Sequence, residues 1–237
     1  MKPAIQQHSD MAIDIAGLKF SWDGRGLLLD IEQLQIQRGE RVFIEGPSGS
    51  GKSTLLSLIA GVGVPQHGMI QVNNVNISAL NGADRDRFRA DHIGFIYQMF
   101  NLIPYLSVVE NVTLPCRFSL RRRNKAAGRS ASFKAEAMRL LEKLGMNDAM
   151  LINKPATDLS VGQQQRVAAA RAIIGAPEII IADEPTSALD TGHREAFIQL
   201  LFQECDRKET SLVFVSHDTT LARNFDQTIR LADINKS

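Results

Sequence analysis

The stretch Gly46-Pro47-Ser48-Gly49-Ser50-Gly51-Lys52-Ser53-Thr54 sets glycines, a lysine and adjacent hydroxyls in the spacing G-x-x-x-x-G-K-[ST]. Those residue types suit one job, holding phosphate. Glycines at 46, 49 and 51 let the backbone turn tightly and aim its N–H groups at anionic oxygens. Lys52 can reach the outer phosphates, and the Ser53 hydroxyl can face a magnesium ion. At 4 Å and an effective dielectric near 20, a lysine and one phosphate charge attract by roughly 4 kcal/mol. The surroundings agree. Arg41 to Glu45 reads as a short buried strand, and Leu55, Leu56, Leu58 and Ile59 begin a helix that Gly61 and Gly63 end. A loop that opens a helix also gains from the helix dipole.

Further acids and polar groups fall where strands should end. Ile179-Ile180-Ile181-Ala182 is an apolar run leading into Asp183 and Glu184. Such a run suits a parallel strand covered on both faces. Ligands of parallel sheets gather outside the strands' C-terminal ends. Asp183 is therefore a candidate to hold magnesium, and Glu184 a candidate base toward water. Gln98 follows the strand Ile93 to Tyr97, and His217 follows Leu212 to Ser216. Gln98 could ligate magnesium or sense phosphate, and His217 could donate to the terminal phosphate or orient water. A lone Gln or His at a strand end is more often a satisfied polar group.

Ser160 and Gln163 fit a capping box at the start of a helix from about Gln164 to Ile174. That helix end could hold a phosphate too. One nucleotide has no use for two helix ends on opposite sides unless two subunits close around it, so this feature points to a dimer. Trp22, beside a turn, either packs in the core or stacks on a flat ring.

The chain has 237 residues, 44% hydrophobic and 22% charged, with a net charge of +1. These values describe a globular protein with no global pull toward nucleic acid. Cys116 and Cys205 lack metal-ligand spacing. No apolar run approaches the ~18 residues of a membrane span, and residues 1–10 lack a signal-peptide core. A cytoplasmic location is expected, with any membrane role supplied by a partner.

Residues 1–10 read as a frayed tail and 11–237 as a single domain. Met11 to Ile36 alternates as a small antiparallel sheet, with a turn at Asp23-Gly24-Arg25-Gly26. Asp84 to Ala90 is a polar connection, helical or irregular. Ser107 to Leu114 is a helix stopped by Pro115. Ala135 to Leu144 is another, with Met138, Leu141 and Leu144 on one stripe and Gly145 as its stop. Between them, Arg121 to Arg129 reads as a solvated loop, with attraction to an anionic membrane surface the sharper alternative. Strands alternating with helices after Gln164 predict a parallel sheet.

In combination these motifs resemble the ATP-binding subunit of ABC transporters, over about Ile13 to Leu231. Gly46 to Thr54 is similar to that family's Walker A loop, Gln98 to its Q-loop and Leu159-Ser160-Val161-Gly162-Gln163 to its signature. Ile179 to Asp183 with Glu184 resembles Walker B, Ser187-Ala188-Leu189-Asp190 the D-loop and His217 the H-loop. Trp22 lies where the family stacks an aromatic on adenine. Gly94-Phe95-Ile96-Tyr97-Gln98, Asn101 to Pro104 and Glu110-Asn111-Val112 with Leu114-Pro115 resemble the lipoprotein-release and macrolide-efflux branch.

The resemblance implies an α/β fold: a RecA-like P-loop NTPase core, an N-terminal antiparallel β lobe and an inserted helical subdomain at about 98–163. It implies ATP and Mg2+ as ligands. It also implies a head-to-tail dimer with Ser160, Gly162 and Gln163 facing the partner's ATP, and an integral membrane permease on which the chain sits peripherally. Export or extraction of a substrate from the membrane is the expected task. The rival is a soluble ABC ATPase acting on nucleic acid or ribosomes. One departure is Val161, where the family usually has glycine. Valine disfavours positive φ and adds bulk near a phosphate, but the backbone N–H and Gly162 remain, so tolerated closure with slower turnover is the expectation.

Overall fold

The computed structural model describes residues 10–24, 26–146, 152–187, 191–206 and 209–237. Most of the expected tail, Arg25 of the expected turn, and Ala188, Leu189 and Asp190 of the D-loop stretch fall outside them.

Two sheets stack on a helix. Strands β1 (Met11–Phe20), β2 (Leu29–Gln37), β4 (His67–Val72) and β5 (Val75–Asn76) form an antiparallel sheet in the order β2-β1-β4-β5. Strands β3 (Arg41–Glu45), β6 (Ile93–Ile96), β7 (Ile179–Asp183), β8 (Ser211–Val215) and β9 (Gln227–Arg230) form a second sheet, in the order β6-β7-β8-β3-β9. All its pairings are parallel.

The apolar runs of the parallel strands divide by parity. Ile179, Ile181, Val213, Val215, Val42 and Ile44 face a core shared with the antiparallel sheet and helix α1 (Lys52–Ile59). Ile180, Ala182, Leu212, Phe214 and Phe43 face a second core, filled by later helices. Side chains alternate across a strand, so only unbroken apolar runs can serve two cores at once.

The helices of the second core are α3 (Val108–Thr113), α4 (Pro115–Phe118), α5 (Leu120–Arg129), α6 (Phe133–Lys143), α7 (Val161–Ile173) and α8 (Thr191–Asp206). The polar connection after β5 is helical over Gly82–His92, which we label α2, and Leu231–Ile234 forms a short α9. Pro115 stops α3 as expected but also opens α4 at its first turn, where proline lacks only an N–H the helix does not use. The buried stripe of α6 is Ala137, Leu140, Leu141 and the following Leu144, while Met138 is exposed.

The basic stretch is corrected most. Arg121 to Arg129 is not a solvated loop but lies in α5, and Arg122 is buried. Its guanidinium donates to the carbonyls of Ala172 at 2.7 Å and of Ile174 at 2.6 Å and 2.8 Å. These carbonyls end α7, where a cation is favoured. Gly175 lets the two segments meet, since a Cβ there would lie 2.5 Å from the Arg122 carbonyl oxygen. Burial lowers the Arg122 pKa to about 10, which leaves it charged at neutral pH.

Two neighbouring cations and a histidine bind Glu178, just before β7. Lys125 lies 2.7 Å and His92 3.0 Å from its carboxylate, and Arg121 completes the cluster. Burial alone would raise the Glu178 pKa, but hydrogen bonds from His92, Lys125 and Arg121 outweigh it and hold the carboxyl well below the usual range. A depressed carboxylate contributes stability above its ordinary pKa and loses it as pH falls. Glu178→Gln should therefore cost about 1–2 kcal/mol at pH 7, between the cost of breaking an exposed pair and a buried one, because solvent screens its partly exposed partners. In urea unfolding, its deficit against the unchanged protein should shrink as pH falls below about 4. A deficit that stays constant with pH would remove the ionic role.

Candidate nucleotide site

The phosphate loop leaves the end of β3, between β8 and β9 in the parallel sheet, and closes at the first turn of α1. Gly51 takes φ 99° as the residue before that turn, and no side chain caps the helix. A Cβ at Gly51 would lie 2.8 Å from Leu29 Cδ2, so the antiparallel lobe fixes the loop's shape. The first N–H groups of α1 are therefore left for an outside acceptor. The Lys52 ammonium is nearly buried and folds back on its own loop, donating to the carbonyls of Gly46 at 2.7 Å and Pro47 at 2.8 Å. The Ser50 hydroxyl is buried and makes no hydrogen bond among the described residues. An unsatisfied hydroxyl, free helix donors and an enclosed cation fit a polyphosphate chain.

Asp183 ends β7 opposite Val215 of β8. Burial raises its pKa, while a hydrogen bond from Ser53 and the Lys52 charge act against the rise. A hydroxyl and a carboxylate are hard oxygen donors, so the pair fits Mg2+.

Glu184 follows with φ 47°, a left-handed conformation that costs a non-glycine residue about 1–2 kcal/mol. Its amide donates to the Val215 carbonyl at 2.9 Å, which anchors the turn. Its carboxylate lies 2.8 Å from His217 Nδ1 and 3.3 Å from the Ser216 hydroxyl. The structure thus joins two sequence candidates directly, Glu184 and His217, and places Ser216 between them. Nothing in the sequence marked Ser216. A cleft of about 370 Å³ beside the loop is lined by Glu45, Gly46, Pro47, His217, Thr219 and Arg230. Arg230 enters because β9 pairs with β3 in parallel, a long-range fact with no local signal.

Gln98 lies just past β6, exposed at the same sheet edge. Trp22 is 71% exposed and rests edge-to-face on Phe20 at 5.0 Å, so it does not pack in the core. Phe20 pairs with Leu29, the residue against Gly51, so the indole belongs to the segment beside the loop.

The remaining candidates stand apart. The capping box forms as expected: Gln163 Oε1 accepts from the Ser160 amide at 2.9 Å, and Ser160 Oγ from the Gln163 amide at 3.3 Å. Among the described residues no hydrogen bond or ion pair links Ser160, Gly162 or Gln163 to the phosphate loop. The concern over Val161 is half removed. It occupies the first turn of α7 with an ordinary negative φ, so valine meets no backbone strain there. Only its bulk remains, half-exposed at the helix end.

A P-loop cassette with an antiparallel lobe and inserted helices defines a class, that of ATP-driven motor subunits. Residues 29–187 match the family model described as ABC transporter, and the chain belongs to that family. It is the ATP-binding and ATP-hydrolysing subunit of a membrane transporter. It is 37% identical to the lipoprotein-releasing system ATP-binding protein LolD of Bacteroides fragilis, over 94% of this chain and 99% of that one. It is 40% identical to the uncharacterized ABC transporter ATP-binding protein MJ0796 of Methanocaldococcus jannaschii, over 84% of this chain and 83% of that one. A dimeric, post-hydrolysis structure of MJ0796 bound to ADP and Pi superposes with a TM-score of 0.78 at 35% identity, over 92% of this chain and 93% of that one. The likeness to the lipoprotein-release branch read from the sequence agrees with these relatives.

Gly51→Ala should abolish nucleotide binding, because it strains φ and drives a Cβ into Leu29. Trp22, the only tryptophan, supplies the readout. ATP should quench its fluorescence in the unchanged protein and leave the variant unaltered. Equal quenching in both would show that the loop does not need glycine there.

Proposed function

We propose that two copies of this chain close head to tail around two ATP molecules, and that closure drives a permease which extracts a membrane-anchored substrate. The observation that carries the reading is the separation of Ser160 from the phosphate loop. The α7 N-terminus is exposed at Ser160, with Gly162 behind it, and no hydrogen bond or ion pair among the described residues joins it to the phosphate loop of its own chain. A second copy supplies one. The dimeric MJ0796 structure with ADP and Pi supports this arrangement by similarity.

The roles follow from placement. Gly46, Ser48, Gly49, Ser50, Gly51 and Thr54 wrap the phosphates with backbone donors and hydroxyls, and Pro47, which has no N–H, stiffens the loop. Lys52 exchanges its loop carbonyls for phosphate oxygens. Ser53, Asp183 and Gln98 would hold Mg2+, which neutralises charge on the phosphate oxygens when bound. Trp22 stacks on adenine. Glu184 takes the proton from the attacking water, a task worth ~10²–10⁴ in rate. His217, 2.8 Å away, orients that carboxylate and faces the cleft beside the phosphate loop. Ser160, Gly162 and Gln163 complete the site from the other copy. We read 11–237 as one ATPase unit, with the helices between β6 and α7 as the part that meets the permease.

That surface suits a membrane partner. Met99, Tyr105, Phe118 and Leu120 are each more than 70% exposed. A groove of about 440 Å³ lined by Tyr97, Pro115 and Phe118 runs among α2, α4 and α5. Exposed apolar groups at this density mark an interaction surface. No helix among the described residues is long and apolar enough to cross a membrane, so the permease supplies the span. The peripheral position on the inner face of the membrane follows from that partner. Relatives named for lipoprotein release favour extraction over the nucleic-acid alternative.

Glu184→Gln tests the cycle. With MgATP it should bind nucleotide, hydrolyse it at least a hundredfold more slowly, and run as a dimer in size-exclusion light scattering. A variant that stays monomeric, or hydrolyses at the normal rate, would overturn the reading.

A further inference from the structure

The turn that carries Gln98 is held from the signature helix. The Phe100 amide donates to the Tyr97 carbonyl at 2.9 Å, which closes a turn with Gln98 as its first inner residue. Phe100 and Asn101 then take φ 59° and 45°, two successive left-handed residues, neither of them glycine. L-residues adopt that conformation reluctantly, and a bulky one most of all. Something must hold it. Arg171, on α7 and nearly buried, donates to the Phe100 carbonyl at 2.5 Å and the Asn101 carbonyl at 2.7 Å. A planar guanidinium fork can take two successive carbonyls at once, where an ammonium has no such fixed geometry.

The other end of the segment is pinned as well. Asn111, fully buried on α3, accepts from the Ile103 amide at 2.8 Å and donates to the carbonyls of Ile103, Leu106 and Ser107. Gln98 therefore stands on a short turn fixed by β6 before it and by Arg171 after it.

We propose that Arg171 is a positioning residue, which sets where Gln98 stands by holding the Phe100–Asn101 turn and so joins Gln98 to the helix that begins at Ser160. Ser160 and Arg171 share α7, about 16 Å apart along its axis. Each nucleotide pocket that receives Gln98 is thereby linked, through one helix, to the opposite pocket that receives Ser160. The inference rests on the reading of Gln98 given under the proposed function.

The test is steady-state ATP hydrolysis by the purified full-length chain with MgATP. Arg171→Lys keeps charge and length but loses the fork. It should lower kcat between about ten- and a hundredfold, the penalty of a misplaced group, and leave KM within about twofold. Gln98→Ala should lower kcat similarly, and the double variant should be no slower than the slower single. Losses that multiply in the double variant would overturn the proposal while leaving the role of Gln98 intact. An unchanged rate in Gln98→Ala would instead remove that role, and the proposal with it. Asn101→Val, at an exposed position, attacks the left-handed φ without touching the guanidinium. It should reproduce the loss, and an unchanged kcat would overturn the proposal even if Arg171→Lys fails to fold.

Discussion

The uncapped first turn of α1 is the constraint on which the rest of the architecture depends. A helix that begins with no side-chain cap leaves backbone donors unsatisfied, and here they point into a loop with an enclosed lysine and a hydroxyl without a partner among the described residues. That arrangement is poor in isolation and suited to a polyphosphate. The antiparallel lobe keeps it in shape, because Leu29 presses against Gly51. The parallel sheet supplies the other groups, since strands that run in one direction deliver their C-terminal residues to one edge. Asp183, Glu184, His217 and Gln98 arrive there from β7, β8 and β6.

A second theme is how the inserted helices are tied to that sheet. Burying a charge is costly, and yet arginines are buried at both junctions. Arg122 caps the end of α7 from α5, and Arg171 reaches from α7 to the turn after β6. Arg139 bridges Glu136 of α6 and Glu204 of α8. Each serves buried carbonyls or carboxylates. Bidentate contacts of this kind fix orientation as well as distance. The inserted helices are thus joined to the core by directional bonds as well as by apolar contact.

The legible parts of the sequence were those whose physics is local. The phosphate loop declares itself because glycine, lysine and serine must fall in register within one turn. The buried runs before Asp183 and His217 declare parallel strands because both faces must be apolar. The Ser160–Gln163 box is also local, and it forms as read. Arg121 to Arg129 misled because its decisive partners, the carbonyls at 172 and 174, lie about fifty residues away. No periodicity announces a buried arginine. Met138 misled because three positions fit one helical stripe and packing chose its neighbours. Val161 misled on φ because a glycine habit was taken as a conformational need, whereas the position is ordinary helix. Ser216 and Arg230 join the site through strand pairing, which single residues do not encode.

The central claim is that a working pocket takes the phosphate loop of one copy and the Ser160 end of another. Mixing two disabled chains tests it most directly. In a Glu184→Gln background, Lys52→Ala removes one half of each pocket and Ser160→Arg the other. Retention of radiolabelled ATP through a desalting column would be measured for each chain alone and for the mixture. The account predicts no retention by either chain alone and clear retention by the mixture, whose mixed dimers contain one whole pocket. Full retention by the Ser160→Arg chain alone would contradict it, since the pocket would then be complete within a single copy.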